Sequence, residues 1–327
     1  LGSPALNVRT VQRQLAALLP EARPAATGES TLEIAAQRND APRLISATLL
    51  EGGPQRARRV FEPPTVGFRA FLDGTQRSEL ASHVAGAPIV VGHAAAVVRE
   101  RRNRRMHSWH LPLQETRIYC PRALLSAPAW DTLMSLYGEL LVDTSDGVAE
   151  LGSHPLALRD AAVHRVQSSR EMLEQRLAER WCSVEKDALF IDGGISGSEK
   201  VAVSSCTVGV VKSHRTLYAE GDALAAVLGL DHRERSSVFR ITSPKRTTVA
   251  SWYLRLRDPR GRDPMWGLVR VEIAYPAPQD MDQVGARADE VSRWILAEAS
   301  PLALPDARWD KMVYGVRDCE EFLRAIS

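Results

Sequence analysis

Two short runs repeat one pattern of aromatic, aliphatic, aspartate and glycine: Phe71-Leu72-Asp73-Gly74 and Phe190-Ile191-Asp192-Gly193. Each closes an apolar stretch that reads as a short buried strand, Phe68 to Leu72 in the first case and Ala188 to Ile191 in the second. Asp-Gly is ordinary turn chemistry, and that reading stands beside a second one. A carboxylate that ends a buried strand beside a tight backbone projects at the edge of a sheet. Two such strands lying side by side would offer paired hard oxygen donors, the kind of set that binds Mg²⁺ or Mn²⁺.

The surrounding pattern decides what kind of sheet this would be. Pro88 to Val98 and Thr116 to Cys120 are further β-rich runs, so three strands in succession form an expected antiparallel meander. A long helix follows from Leu156 to Cys182, with Leu158, Ala162, Val166, Leu173, Leu177 and Trp181 at helical spacing. The strand over 188–191 comes next, then a β-rich segment from Val201 to Val211 closing at Lys212. A late strand at Val269 to Ile273 and a terminal helix from Pro305 to Ala325 complete the series. This order predicts an α/β fold, a mixed sheet flanked by helices. Ahead of it, residues 4–24 read as an amphipathic helix, and Ser30-Thr31-Leu32-Glu33 matches a capping box that would open a second helix. Gly52 to Pro64 reads as a linker or extended arm. The expected organisation is a cloning remnant at 1–3, an N-terminal helical arm over 4–64 and one domain over 65–327.

The long helix offers a third acid. With roughly 100° per residue, Glu174 lies about 75° from the centre of the apolar stripe, whereas Glu171 and Glu179 fall near the solvent face. Glu174 is therefore the residue able to point along the sheet edge, with a solvated pairing to Arg170 as the competing reading. Lys212, at the end of an apolar strand, either reaches a phosphate or site carboxylate or simply faces solvent.

Other chemistries lack their signatures. The four cysteines (Cys120, Cys182, Cys206, Cys319) show no CxxC spacing, and no H-E-x-x-H or GxxxxGK[ST] pattern occurs. No apolar run reaches the roughly 20 residues of a membrane helix. With no signal-peptide pattern either, a cytoplasmic protein is expected. The net charge is only +2, yet arginine outnumbers lysine 37 to 5. The densest basic run, Arg99, Arg101, Arg102, Arg104 and Arg105, suits either a DNA backbone or a solvated hairpin tip. Trp109, between His107 and His110, suits core packing or base stacking.

Asp on the first strand, Glu on the helix after the third and Asp on the fourth follow the acidic order of ribonuclease-H-like nucleases. Together with Thr207-Val208-Gly209-Val210-Val211-Lys212-Ser213 and Val269-Arg270-Val271-Glu272-Ile273, the two Asp-Gly runs resemble the NurA nuclease family over roughly residues 67 to 325. The resemblance implies a ribonuclease-H-like fold and Mn²⁺- or Mg²⁺-dependent cleavage of DNA. It implies a homodimer working with a HerA-type hexameric ATPase, in DNA end processing or anti-phage defence. Asp73 and Asp192 match the family's metal-holding aspartates, and Glu174 its helix acid. The family's C-terminal Tyr-Pro…Ala-His segment has its counterpart in Leu304-Pro305-Asp306-Ala307-Arg308-Trp309-Asp310, where Asp310 stands for the histidine and Asp306 competes with it. Thr75 and Gly194 replace the family's motif serines. These departures keep open a catalytically weakened DNA-binding or assembly subunit.

Overall fold

Strand β1 runs fifteen residues, Ala70–Val84, and β2 runs sixteen, Ala87–Arg102. The two are joined by Ala85-Gly86, both with positive φ, the backbone a two-residue hairpin turn requires. This is a computed structural model, which describes residues 6–25, 31–32, 41–145, 154–299, 311 and 313–326. The chain divides into two units interleaved along the sequence. The first comprises Leu1–Asn39, Gly74–Ala96 and Leu113–Leu173, the second Asp40–Asp73, Val97–Pro112 and Glu174–Ser327. Both β1 and β2 contribute one end to each unit.

In the first unit, β2 pairs antiparallel with β4 (Leu113–Cys120), from Val90↔Tyr119 to Ala96↔Leu113. The short hairpin strand β3 (Arg105–Ser108) belongs to the second unit. Alternation sends Ile89 and Val91 to one face of the first unit's sheet and Val90 to the other. The first face packs against helices α1 (Val8–Leu18) and α2 (Ala127–Tyr137) through Val11, Leu15, Leu133 and Tyr137. The second face packs against the N-terminal part of α3 (Pro155–Val184), where Ala162 and Val166 meet Val90 and Tyr119. A Cβ on Gly92 would lie 2.4 Å from Val166 Cγ2, so glycine is what lets α3 approach this strand.

In the second unit, Ala70–Leu72 of β1 pair in parallel with β5 (Leu189–Asp192). Strand β5 pairs in parallel with β6 (Thr207–Val211). Strand β8 (Leu268–Ala274) then runs antiparallel to β6 and to β7 (Val249–Arg255). All seven residues of β7 are buried, as expected of a strand covered on both faces. Helix α4 (Val284–Glu298) docks there, with Trp252 Nε1 donating to Ser292 Oγ at 3.0 Å. Helix α5 (Tyr314–Ile326) brings Gly315 against the Phe71 ring. The 41–60 segment is fastened by Glu51, which receives Arg235 Nη1 at 2.8 Å and the Val238 N–H at 2.7 Å. Burial favours a neutral Glu51, but the Arg235 guanidinium outweighs it and holds the carboxyl below its ordinary range. Among the described residues no helix is long and apolar enough to cross a membrane.

A mixed α/β architecture with a large mixed sheet flanked by helices is thus present, and several local expectations change. The first helix is shorter than residues 4–24: Pro20 drives Leu19 to φ −123°, ψ 98°, and Ala22–Pro24 pair as a strand with Ser82–Val84. Thr31 and Leu32 are extended and pair with Glu79 and Ser78, so the capping-box sequence opens no helix there. The long edge of β1 supplies ladder partners that a local cap does not match. Strand β1 does not end at Asp73 but continues to Val84. Of the 201–211 segment, only Thr207–Val211 is strand, while Glu199–Ala202 form one helical turn. The terminal helix begins at Tyr314; residues 305–310 and 312 lie outside the described residues.

Gly315→Ala puts a Cβ 2.3 Å from the Phe71 ring. Alanine gains about 1 kcal/mol of helix propensity. The forced shift costs about 1–3 kcal/mol. A net fall in the urea midpoint is the expected outcome, and an unchanged or raised midpoint would show that α5 yields freely.

Candidate functional site

The register of β1 against β5 sets the site. Leu189↔Ala70, Phe190↔Phe71 and Ile191↔Leu72 are paired in parallel, so the next residues on the two strands are Asp192 and Asp73. Residues in register on neighbouring parallel strands share a face, and the strands lie roughly 4.8 Å apart. Phe71 and Phe190 are fully buried and pack ring to ring, which anchors this register two residues before the carboxylates. Asp73 is itself buried, with 6% exposure, and the Asp192 side chain is 21% exposed.

On its other side Asp192 pairs with Val210, and Lys212 lies two residues beyond on the same face. Lys212 Nζ reaches Asp192 Oδ2 at 2.7 Å, so of its two expected roles it takes contact with the site carboxylate. Lys311 Nζ donates to the Lys212 carbonyl oxygen at 3.2 Å, bringing a second ammonium to the same strand end.

The turn after Asp192 is held from the opposite face. Gly193 has φ +142°, and its N–H donates to Val210 O at 3.0 Å. The Ile195 N–H donates to Glu272 Oε2 at 2.8 Å, and Arg270 Nη1 donates to Glu272 Oε1 at 2.5 Å. Glu272 is only 2% exposed and shares the cross-strand row of Ile191 and Gly209. A Cβ at Gly209 would meet Gly193 O at 2.7 Å, so this glycine leaves room for the turn to fold back on β6. The Asp-Gly pattern and the helix stripe do not point to Glu272. Its signal is an acid inside the apolar alternation Val269-Arg270-Val271-Glu272-Ile273.

Glu174 is half-buried on α3, whereas Glu171 is exposed and accepts Gln167 Nε2 at 2.8 Å. Glu179 departs from its expected solvent-face position: it is half-buried and accepts Ser198 Oγ–H at 2.6 Å. That bond, followed by one from Gln175, holds its carboxyl below the ordinary range. Asp310 and its competitor Asp306 lie outside the described residues.

The basic run occupies the β2–β3 hairpin, whose tip is Asn103-Arg104 with positive φ. Arg99 binds Asp318, and Arg101 makes a two-point pair with the buried Glu298 at 2.8 and 2.6 Å. Arg102 is exposed and binds Glu100, and Arg104 and Arg105 are exposed at the tip. Trp109 is half-buried, packs its ring tilted at 60° against Trp181 and donates to Glu185 at 2.9 Å, which gives it a packing role.

Among the described residues no group of three or more His, Cys, Asp and Glu side chains is arranged to hold a metal ion. Asp73 and Asp192 are two carboxylates in register on adjacent strands, and Mg²⁺ that retains water and phosphate ligands is bound through one or two carboxylates. No protein-family profile matches the chain, and no curated protein sequence matches it.

Glu272→Ala leaves the Ile195 N–H and the largely buried Arg270 without their acceptor, and the expected loss of stability is about 3–5 kcal/mol. Lys212→Ala removes a partly exposed pair, with an expected loss below about 1 kcal/mol. Urea unfolding of both variants checks the contrast, which fails if the two losses are equal.

His214 adds a pH dependence. Burial lowers its pKa to about 4 from 6.5, against the raising effect of its bond to Leu268 O, with Lys311, Arg270 and Arg255 lowering it further. The unfolded imidazole takes a proton below pH 6.5, and the folded one does not until about pH 4, so stability falls as pH drops through that window. His214→Gln is expected to remove about 2 kcal/mol of the wild-type difference between pH 7 and pH 5. An unchanged difference would contradict this.

Proposed function

We propose that this chain is a divalent-metal-dependent DNA nuclease of the NurA type, built on a ribonuclease-H-like sheet. The observation that carries the reading is the in-register placement of Asp73 and Asp192 on adjacent parallel strands. The strand order supports it. In the first unit β4 neighbours β2 and β2 neighbours β1; in the second, β1 neighbours β5 and β5 neighbours β6. β5 pairs in parallel with β1 and β6 with β5, and α3 precedes β5 in the chain, an order that the ribonuclease-H-like reading calls for.

Asp73 and Asp192 would hold the ion, with Glu174 at the border of the buried helix stripe and Asp310 as further acids. When bound, Mg²⁺ or Mn²⁺ supplies an activated water and stabilises the leaving oxygen of a phosphodiester. Lys212 neutralises Asp192 in the absence of substrate and turns to a phosphate oxygen as DNA arrives. Lys311 adds positive charge beside it. Arg104 and Arg105 at the hairpin tip supply sequence-independent contacts to the DNA backbone. The HerA-type ATPase partner, the homodimer, a cytoplasmic setting and a role in end processing or anti-phage defence belong to the same proposal and rest on the motif resemblance.

One observation favours a second reading, a weakened DNA-binding or assembly subunit. The Lys212 ammonium already satisfies Asp192 at 2.7 Å and competes with a cation for it. The test is digestion of end-labelled single- and double-stranded DNA with Mn²⁺, alone and with a HerA-type ATPase, comparing wild type, Asp192→Asn and an EDTA control. Cleavage by wild type that is lost in both controls is the expected result. DNA binding without cleavage under either condition would overturn the nuclease reading in favour of the assembly role.

A further inference from the structure

Cys182 lies in the last turn of α3, and Cys206 in the turn that leads into β6. Both are tied to the connection between α3 and β5. Trp181 Nε1 donates to Asp187 O at 3.0 Å, and the Leu189 N–H donates to Cys206 O at 2.8 Å. Glu179 and Ser183, which flank Cys182 on α3, accept from Ser198 Oγ at 2.6 Å and Lys200 Nζ at 2.5 Å, so the end of the helix lies against the segment that leads to Cys206, and the two thiols interact. Ser204 Oγ lies 3.0 Å from Cys206 Sγ and receives the Cys206 N–H at 3.4 Å. Lys200, whose Nζ donates to Ser183 Oγ at 2.5 Å, and Lys186 place positive charge nearby.

The surroundings differentiate the pair. The Cys182 S–H bond, which outweighs burial, holds the Cys206 thiol below its ordinary range, and Ser204 assists. Cys182 is correspondingly raised, first by Cys206 and then by burial. Cys182 is half-exposed and Cys206 is 7% exposed, so a small oxidant can reach the pair from the Cys182 side. The other cysteines are inert by contrast. Cys120 is fully buried, its thiol pushed up by burial to about 12, and Cys319 is fully buried and raised for the same reason.

We propose that Cys182 and Cys206 form a redox-active dithiol that closes into an intrachain disulfide on exposure to a peroxide, fastening the end of α3 to the entry of β6. The Cys206 thiolate attacks one peroxide oxygen, and the O–O bond breaks. The departing hydroxide takes a proton and leaves as water, and Cys206 becomes a sulfenic acid. The Cys182 sulfur then attacks the sulfenic sulfur. The S–S bond forms, the S–O bond breaks, and the hydroxyl leaves with the Cys182 proton as a second water. Two thiols are oxidised and one hydrogen peroxide is reduced. Neither sulfur takes part in the proposed nuclease chemistry, so this site stands independently of it.

The test uses the reduced full chain, treated with hydrogen peroxide under native conditions, quenched by alkylation and mapped by mass spectrometry. The expected result is an intact mass lower by two hydrogens and a linked Cys182–Cys206 peptide. Half of the four thiols should be lost, with Cys120 and Cys319 recovered as free thiols after denaturation and all four restored by dithiothreitol. Cys182→Ser and Cys206→Ser should each abolish the linked species, and Cys182→Ser should leave Cys206 to proceed to the sulfinic acid. Overoxidation of either cysteine in the wild type without a linked peptide would overturn the proposal. So would a Cys182 bridge between two chains, or recovery of both thiols unmodified.

Discussion

Three pairs of backbone partners, Ala70 with Leu189, Phe71 with Phe190 and Leu72 with Ile191, set where Asp73 and Asp192 stand. A parallel ladder between segments more than a hundred residues apart must recover a large loop-closure entropy before it contributes anything. The recovery comes from apolar side chains with almost no exposure: Phe71, Leu72, Leu189 and Phe190 are all at or below 1%. Slipping the register by one residue would exchange the faces of β5 and turn Asp192 away from Asp73. The buried aromatic pair, with Phe68 packed on both rings, makes that slip costly. The carboxylates are thus positioned by hydrophobic packing two residues upstream, against the mutual repulsion of two like charges.

Around that register the remaining groups divide by face. Lys212 meets Asp192 on one side of the sheet, and Glu272 fixes the Gly193-Gly194-Ile195 turn from the other. The first contact is partly exposed and exchangeable. The second is buried and doubly bonded, so it belongs to the scaffold. Arg101 and Arg235 show the same division on a larger scale. Both are arginines that sequence alone leaves available to an external partner, and both are spent on internal carboxylates, Glu298 for the first and Glu51 with Asp289 for the second.

The α/β class, the long amphipathic helix and the two strands that carry Asp73 and Asp192 could all be read from the sequence because each rests on periodicity or on a repeated local pattern. The stripe from Leu158 to Trp181 is buried as the 3.6-residue period requires. The failures have specific causes. Thr31-Leu32 sits within a capping-box sequence, but the edge of β1 offers ladder partners that no local rule registers. Asp73-Gly74 has turn chemistry, yet β1 continues because its other neighbour, β2, continues beside it. Glu179 points to solvent by helical angle alone, and only the return of the chain at Ser198 brings a donor to it. The division of the basic run between ion-paired and exposed arginines depends on α4 and α5, which lie about two hundred residues downstream.

The central claim is that Asp73 and Asp192 act as one donor pair. Mn²⁺ binding followed by electron paramagnetic resonance, with wild type, Asp73→Asn and Asp192→Asn side by side, tests it most directly. The account predicts binding by the wild type and a loss of at least about tenfold in affinity, ~1.4 kcal/mol, from either single substitution. Mn²⁺ affinity that is unchanged by both substitutions, or no binding by the wild type, would contradict it.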